Sequence, residues 1–210
     1  MAETRSSIDT SRLEKMLAKL PGQVPFAIAT TLTALAKDGQ AAAEKRINEA
    51  FDRPVPFTQR SIGIITARKD RLVSAVFVKD LQAAYLRIEE TGGTRRPEPG
   101  KPINVPVQIR TNVSGNIPRG AIKREIAKPT TFVSGQDTPG TANLPPGIYQ
   151  RYKAGRRGKA RAPKLLISFK KQARYQPIFK FKATVREAVL RMVEQRWREN
   201  IAKAIETARR

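Results

Sequence analysis

The side chains with the most chemistry to offer are cations. From Arg151 to Lys182 the chain carries twelve basic residues and no acidic one, and Arg95 and Arg96 stand earlier in the same Gly- and Pro-rich stretch. Guanidinium and ammonium groups at this density form charge-assisted hydrogen bonds with phosphate or carboxylate oxygens. Arg95, Arg96, Arg151, Lys153, Arg156, Arg157, Lys159, Arg161, Lys170, Lys171 and Arg174 are the candidate contacts, and the sequence leaves open whether they meet DNA, an acidic protein wall or solvent. Tyr149 and Tyr152, beside Arg151 and Lys153, add two rings on which bases could stack. Tyr175, Phe179 and Phe181 also lie among basic residues, but their period of two is that of a half-buried strand.

Other chemistries lose their residues. With no His and no Cys, the chain has no Ser-His-Asp triad, thiolate nucleophile, disulfide or zinc finger. Gly155-Arg156-Arg157-Gly158-Lys159-Ala160 lacks the Gly spacing and the Ser or Thr of a phosphate-binding loop. Its GXXG form matches the KH-domain clamp, but a KH loop joins two helices, and no helical periodicity flanks this segment. A metal-dependent nuclease would need clustered carboxylates. Outside helix interiors only Glu89-Glu90, Asp70 and Asp80 are candidates, and no DxD or ExK spacing joins them. The reading is therefore non-enzymatic, with no catalytic residue, cofactor or metal ligand assigned.

The elements that carry these residues follow from charge and period. The whole chain of 210 residues has 41 basic and 18 acidic side chains, a net of +23. The excess is local: residues 1–90 hold 14 basic and 11 acidic side chains, residues 183–210 hold 7 and 4, and residues 91–182 hold 20 and 3. Two nearly balanced, foldable segments thus flank a basic one. Ser11 and Glu14 form a capping-box pattern ahead of Leu13, Met16, Leu17 and Leu20, which predicts a short helix. Pro25 and the Ala-rich text from Phe26 to Phe51, with Ile28, Leu32, Leu35, Gly39 and Ile47 at spacings of three and four, predict a long helix. Gly39 on that stripe would let a neighbour approach closely.

Two strands are predicted at 62–67 and 72–78 around the charged turn Arg68-Lys69-Asp70-Arg71, then a short helix from Asp80 to Glu89. Residues 94–164, dense in Gly and Pro, read as long basic arms with short strands at 103–109 and 130–133. Lys164–Phe169 and Tyr175–Lys182 read as another hairpin, and Thr184 to Glu187 as a capping box opening a terminal helix striped by Val185, Val189, Met192, Val193, Trp197 and Ile201. The expected fold is α+β: a small, mostly antiparallel sheet packed by a long N-terminal and a C-terminal helix, with extended basic arms. Its expected divisions are 1–93, 94–164 and 165–210, the last completing a single domain with the first. No apolar stretch is long enough to span a bilayer, and the N-terminus lacks an apolar leader, so synthesis in the cytosol with no membrane partner is expected.

The order of these segments resembles a known family. The helix text Pro25-Phe-Ala-Ile-Ala-Thr-Thr-Leu-Thr-Ala-Leu-Ala, Phe57-Thr-Gln-Arg-Ser-Ile leading through a charged hairpin into Leu72-Val-Ser-Ala-Val-Phe-Val-Lys-Asp, and Gln82-Ala-Ala-Tyr-Leu look like minor tail protein Z of lambda-type tailed phages and its prophage relatives. So do Glu90-Thr-Gly-Gly-Thr-Arg-Arg-Pro, the run at 115–120, Gly147-Ile-Tyr-Gln-Arg and Tyr175-Gln-Pro-Ile-Phe-Lys-Phe. The resemblance is one of order and texture over most of the chain, and it carries no individual site residue across. It implies a structural virion protein of the neck or tail-completion class, a homo-oligomeric ring at the head-tail junction whose arms reach adjacent subunits. The implied partners are other neck, portal-proximal or tail proteins, with packaged DNA nearby, in the virion and, during assembly, in the host cytoplasm. A nucleic-acid-binding protein using residues 151–182 is the alternative from a different class.

Overall fold

A computed structural model describes residues 24–97, 101–134, 141, 143–152 and 162–208. The predicted helix around Ser11 to Leu20 lies outside them. The chain is α+β, and it divides into two compact units: residues 1–91 with 177–210, and residues 92–176.

In the first unit the long helix is α1, Val24–Ala50. It buries Ile28, Leu32, Leu35, Ala36, Gly39, Ala43 and Ile47 along one stripe, as the spacing predicts. Thr31 is buried on this stripe because its hydroxyl donates to the Ala27 carbonyl at 2.8 Å, which satisfies it within the helix. A short turn of helix, α2 (Pro56–Gln59), leads into the hairpin β1 (Ile62–Ile65) and β2 (Ala75–Val78), paired antiparallel with Ile62 opposite Val78. At its tip Arg68 and Arg71 exchange both backbone hydrogen bonds, at 2.9 and 3.1 Å, so the charged tetrapeptide is the predicted turn. Helix α3 runs from Asp80 to Thr91 and the terminal helix α5 from Phe181 to Ala208.

Helices α1 and α5 pack antiparallel. Ala43 and Ile47, late in α1, share a cluster with Phe181, Val185 and Val189, early in α5, together with Ile62, Val76, Leu86 and Phe179. Ile28 and Leu32, early in α1, meet Trp197 and Ile201 late in α5. Gly39 sits at the tightest point: a Cβ there would lie 3.1 Å from a Val185 methyl and 3.3 Å from one of Val76. Each large side chain in these clusters contributes about 1.5–3 kcal/mol of burial, so the stripe read from the sequence is the main source of cohesion.

The second unit holds a four-stranded antiparallel sheet. Its order is β4 (Ile103–Pro106), β7 (Lys164–Lys170), β6 (Gly147–Gln150) and β5 (Thr131–Ser134). A six-residue helix, α4 (Ala121–Ile126), follows Gly120, whose φ of 75° lies in the left-handed region that glycine adopts readily. Gly147 begins the central strand β6 so close to its neighbour that a Cβ would sit 2.5 Å from the Ile167 carbonyl oxygen. A separate two-stranded ladder pairs β3 (Gly93–Arg95) with β8 (Ala173–Tyr175).

Three expectations need correction. Residues 94–164 are more than arms with two short strands: β4 and β5 stand at the expected places, and the described part also supplies α4 and β6. Residues 165–210 do not complete one domain with 1–93: Lys164–Tyr175 belongs to the second unit and only the chain from Pro177 onward to the first. Tyr175–Lys182 is no second strand of a hairpin with Lys164–Phe169; β8 is only Ala173–Tyr175 and pairs with β3. Beyond it the chain turns through Lys180, at φ 51°, directly into α5. Phe179 and Phe181 are buried on either side of that bend, their ring centroids 5.7 Å apart. Their period of two records a joint between coil and helix, not a pleat.

Candidate functional site

The predicted cations fall in three places. Arg95 closes β3 and Arg96 follows it; Lys170 closes β7, Lys171 lies in the turn beyond, and Arg174 is in the middle of β8, opposite Thr94. All five side chains are exposed. The ladder gathers them from segments nearly 80 residues apart in sequence, 93–95 and 173–175. Arg151 stands apart, just beyond β6. Its backbone N–H donates to the Thr130 carbonyl at 2.8 Å, and its guanidinium lies over the Phe132 ring, 4.9 Å from the centroid. Lys153, Arg156, Arg157, Lys159 and Arg161 lie outside the described residues.

Of the two candidate stacking rings, Tyr152 is 50% exposed and Tyr149 only 4%. Tyr149 is therefore not a platform for a base. Its ring stacks on Phe132, opposite it across β5 and β6, with centroids 5.6 Å apart, and its hydroxyl donates to the Pro145 carbonyl at 2.9 Å. Burial also pushes its phenol pKa up. Arg151, Phe132 and Tyr149 form one stack from exposed cation through half-buried ring to buried ring, a cation–π contact on an aromatic pair. The sequence neighbourhood of Tyr149 and Arg151 was informative, but about packing.

The charge division read along the chain persists between the two compact units, slightly less steeply. The second unit, 92–176, has 18 basic and 3 acidic residues, a net of +15, whereas the first has 23 and 15, a net of +8. The first unit also pairs some of its cations, Lys45, Arg46, Arg53, Arg196 and Arg198, with carboxylates. Arg196 on α5 grips Asp38 on α1 with two hydrogen bonds of 2.7 Å and Glu199 with one of 3.0 Å. These carboxylates hold the Arg196 guanidinium above its usual value, Asp38 contributing most, and Glu199 is lowered by its Gln195 and Arg196 partners.

Of the carboxylates weighed as metal ligands, that of Glu90 has other work. Glu90, at the end of α3, accepts the backbone N–H groups of Phe181 at 2.6 Å and Lys182 at 3.2 Å, capping the first turn of α5. The sequence had placed that cap on Thr184, but the helix begins earlier, and the Thr184 hydroxyl donates back to the Lys180 carbonyl at 2.9 Å. Glu89 uses its backbone carbonyl to accept the Phe179 N–H at 2.9 Å, and burial raises its side-chain pKa. Among the described residues no group of three or more acidic side chains converges at a spacing that would hold a metal ion, and no helix is long and apolar enough to cross a membrane. Sequence reasoning missed the role of Glu90 because its partners lie some 90 residues away.

No protein-family model, curated protein or solved structure matches this chain.

Proposed function

We propose that the protein is a structural assembly component of a tailed phage particle, of the neck or tail-completion class, acting through contacts with further copies of itself and with neighbouring virion proteins. The observation that carries this reading is the segregation of charge between two compact units, one mostly helical with a net of +8, the other built on a small antiparallel sheet with a net of +15. Uncompensated charge on an exposed surface favours association with an oppositely charged one and repels like surfaces, which helps parts join in one order. Exposed apolar residues support the same reading. Leu81 at the start of α3 and Phe57 in α2 are 75% and 52% exposed, and the Gln82 amide holds the two helices together by donating to the Phe57 carbonyl at 3.1 Å. Two large side chains left this open on neighbouring helices suit burial against a partner.

The second unit adds the geometry of strand addition. Among the described residues, β4 and β5 of the four-stranded sheet each pair on one side only, so each offers backbone groups to which an extended segment of a neighbour can add. The reading is tested by measuring whether the chain is present at fixed stoichiometry in purified particles of the phage that encodes it. A constant copy number per particle supports it. Abundance in infected cells with none retained in particles would overturn it.

A further inference from the structure

Hydrophobic burial does not account for the β3–β8 ladder. A two-stranded ladder is marginal in water unless an apolar face is covered, yet all of β3 is exposed, and in β8 Arg174 stands exposed between two half-buried residues. The chain nevertheless loads this ladder with cations. Arg95 pairs with Ala173 and Arg174 with Thr94, Arg96 follows β3 directly, and Lys170 and Lys171 lie just before β8. At about 3.3 Å per residue and about 5 Å between strands, all five lie within about 10 Å of Ala173. That is about one Debye length in physiological salt, so the five charges repel one another. Among the described residues none of the five forms an ion pair. Glu125, the one acidic side chain described in this unit, is taken by Lys128 at 2.7 Å.

We infer that the β3–β8 ladder is a binding surface for the phosphodiester backbone of duplex DNA, contacted without regard to base sequence through Arg95, Arg96, Lys170, Lys171 and Arg174. Three features select this ligand. Protein interfaces centre on buried aromatic or aliphatic anchors, and the exposed neighbours of these cations are Gly93, Thr94, Gln172 and Gln176, none of which can serve. Single strands are held by exposed aromatic platforms, and the one aromatic of the ladder, Tyr175, is half-buried. A two-stranded ribbon is also one of the shapes that the major groove, about 12 Å wide, admits. Arg95 and Arg174 point to opposite faces of the ladder, since Arg95 pairs with Ala173, the neighbour of Arg174. Each face can then meet one of the two backbones that line the groove. The inference does not depend on the assembly reading: a protein outside any virion could bind DNA this way, and a virion protein could fail to.

The test is fluorescence anisotropy with the full chain, using a short labelled random-sequence duplex, an oligothymidylate of equal length and a poly-glutamate peptide, each titrated from about 50 to 200 mM salt. The duplex should bind most tightly. Neutralising three contacts in the variant Arg95→Gln/Arg96→Gln/Arg174→Gln should reduce the steepness of log affinity against log salt by about 2.7, at about 0.9 per phosphate contact. The variant's loss of affinity across that salt range is then about 40-fold smaller than that of the unmodified chain. A control of equal charge on α5, Lys182→Gln/Arg186→Gln/Arg191→Gln, should leave the slope unchanged. Should the ladder variant lose its circular dichroism signature, the single variants Arg95→Gln and Arg174→Gln carry the test, each lowering the slope by about 0.9. The inference is overturned if the duplex does not bind at about 50 mM salt, if the thymidylate or the peptide binds as tightly, if the control lowers the slope as much, or if neither single variant changes it.

Discussion

Replacing Glu90 should unfasten the terminal helix from a distance of some 90 residues in sequence. Its carboxylate accepts the Phe181 N–H at 2.6 Å and the Lys182 N–H at 3.2 Å, and Lys180, the residue before α5, has no side-chain oxygen with which to replace it. A hydrogen bond to a charged group contributes about 1.5–3 kcal/mol, and a charge at a helix terminus about 0.3–1 kcal/mol. The shorter bond should count nearly in full, while the longer one and partial solvent exposure argue for the lower end of the sum. Glu90→Ala should therefore cost about 2–3 kcal/mol. Glu90→Gln, which keeps one neutral acceptor, should cost about 1 kcal/mol. For a chain of this length, with about 2–4 °C per kcal/mol, the alanine variant should melt about 5–10 °C lower. The assay is thermal and urea unfolding followed by the fluorescence of Trp197, the only tryptophan, which packs from α5 against Ile28 and Leu32 of α1 and so reports the first unit alone. If Glu90→Ala unfolds within about 0.5 kcal/mol of the unmodified chain, the cap does not hold the helix and the reasoning fails.

The adjacent carboxylate should behave in the opposite sense. Burial raises the pKa of Glu89, so the folded state binds its proton more tightly than the unfolded state, and the stability linked to this group is lost as pH rises from the ordinary glutamate value through the raised folded one. Glu89→Gln should be more stable than the unmodified chain at neutral pH, with the gap closing on acidification; a gap that widens in acid would contradict the burial argument. Gly39→Leu must force apart Val185, Val76 and Val189, all within 3.4 Å of where its Cβ would lie, and should cost at least about 2–3 kcal/mol by the same unfolding assay. The two-pronged Arg196–Asp38 contact joins α1 to α5 with both groups mostly covered, so a double-mutant cycle of Asp38→Asn and Arg196→Met should give a coupling of about 1–2 kcal/mol; a value below about 0.5 kcal/mol would make it an ordinary surface pair.

What the sequence revealed depended on the range of the interactions. Helix α1, the α1-facing stripe of α5 and the Arg68–Arg71 turn are written in spacings of a few residues, and they stand where the periodicity places them. Strand β6 went unseen because Gly147, Ile148 and Tyr149 are all buried, so the alternation that marks a half-exposed strand is absent. Phe179 and Phe181 imitated a strand because two different conformations happened to send both rings into one core. The cations were legible as a group, but their arrangement was not. Only the pairing of 93–95 with 173–175 brings Arg95 and Arg174 together, and nothing local announces a pairing over that distance. Basic neighbours do not make Tyr149 exposed, because Arg151, itself exposed, lies over the Phe132 ring that stacks on Tyr149.

The assembly reading rests most directly on where the chain resides. Under the proposed role, electron microscopy of purified tailed-phage particles, with the structures of the two units fitted separately into the density, is the decisive measurement. The account predicts a closed ring of copies at the head-tail junction, joined through contacts that cover Leu81 and Phe57. Particles with complete, fully assigned necks and tails and no density for either unit would contradict it.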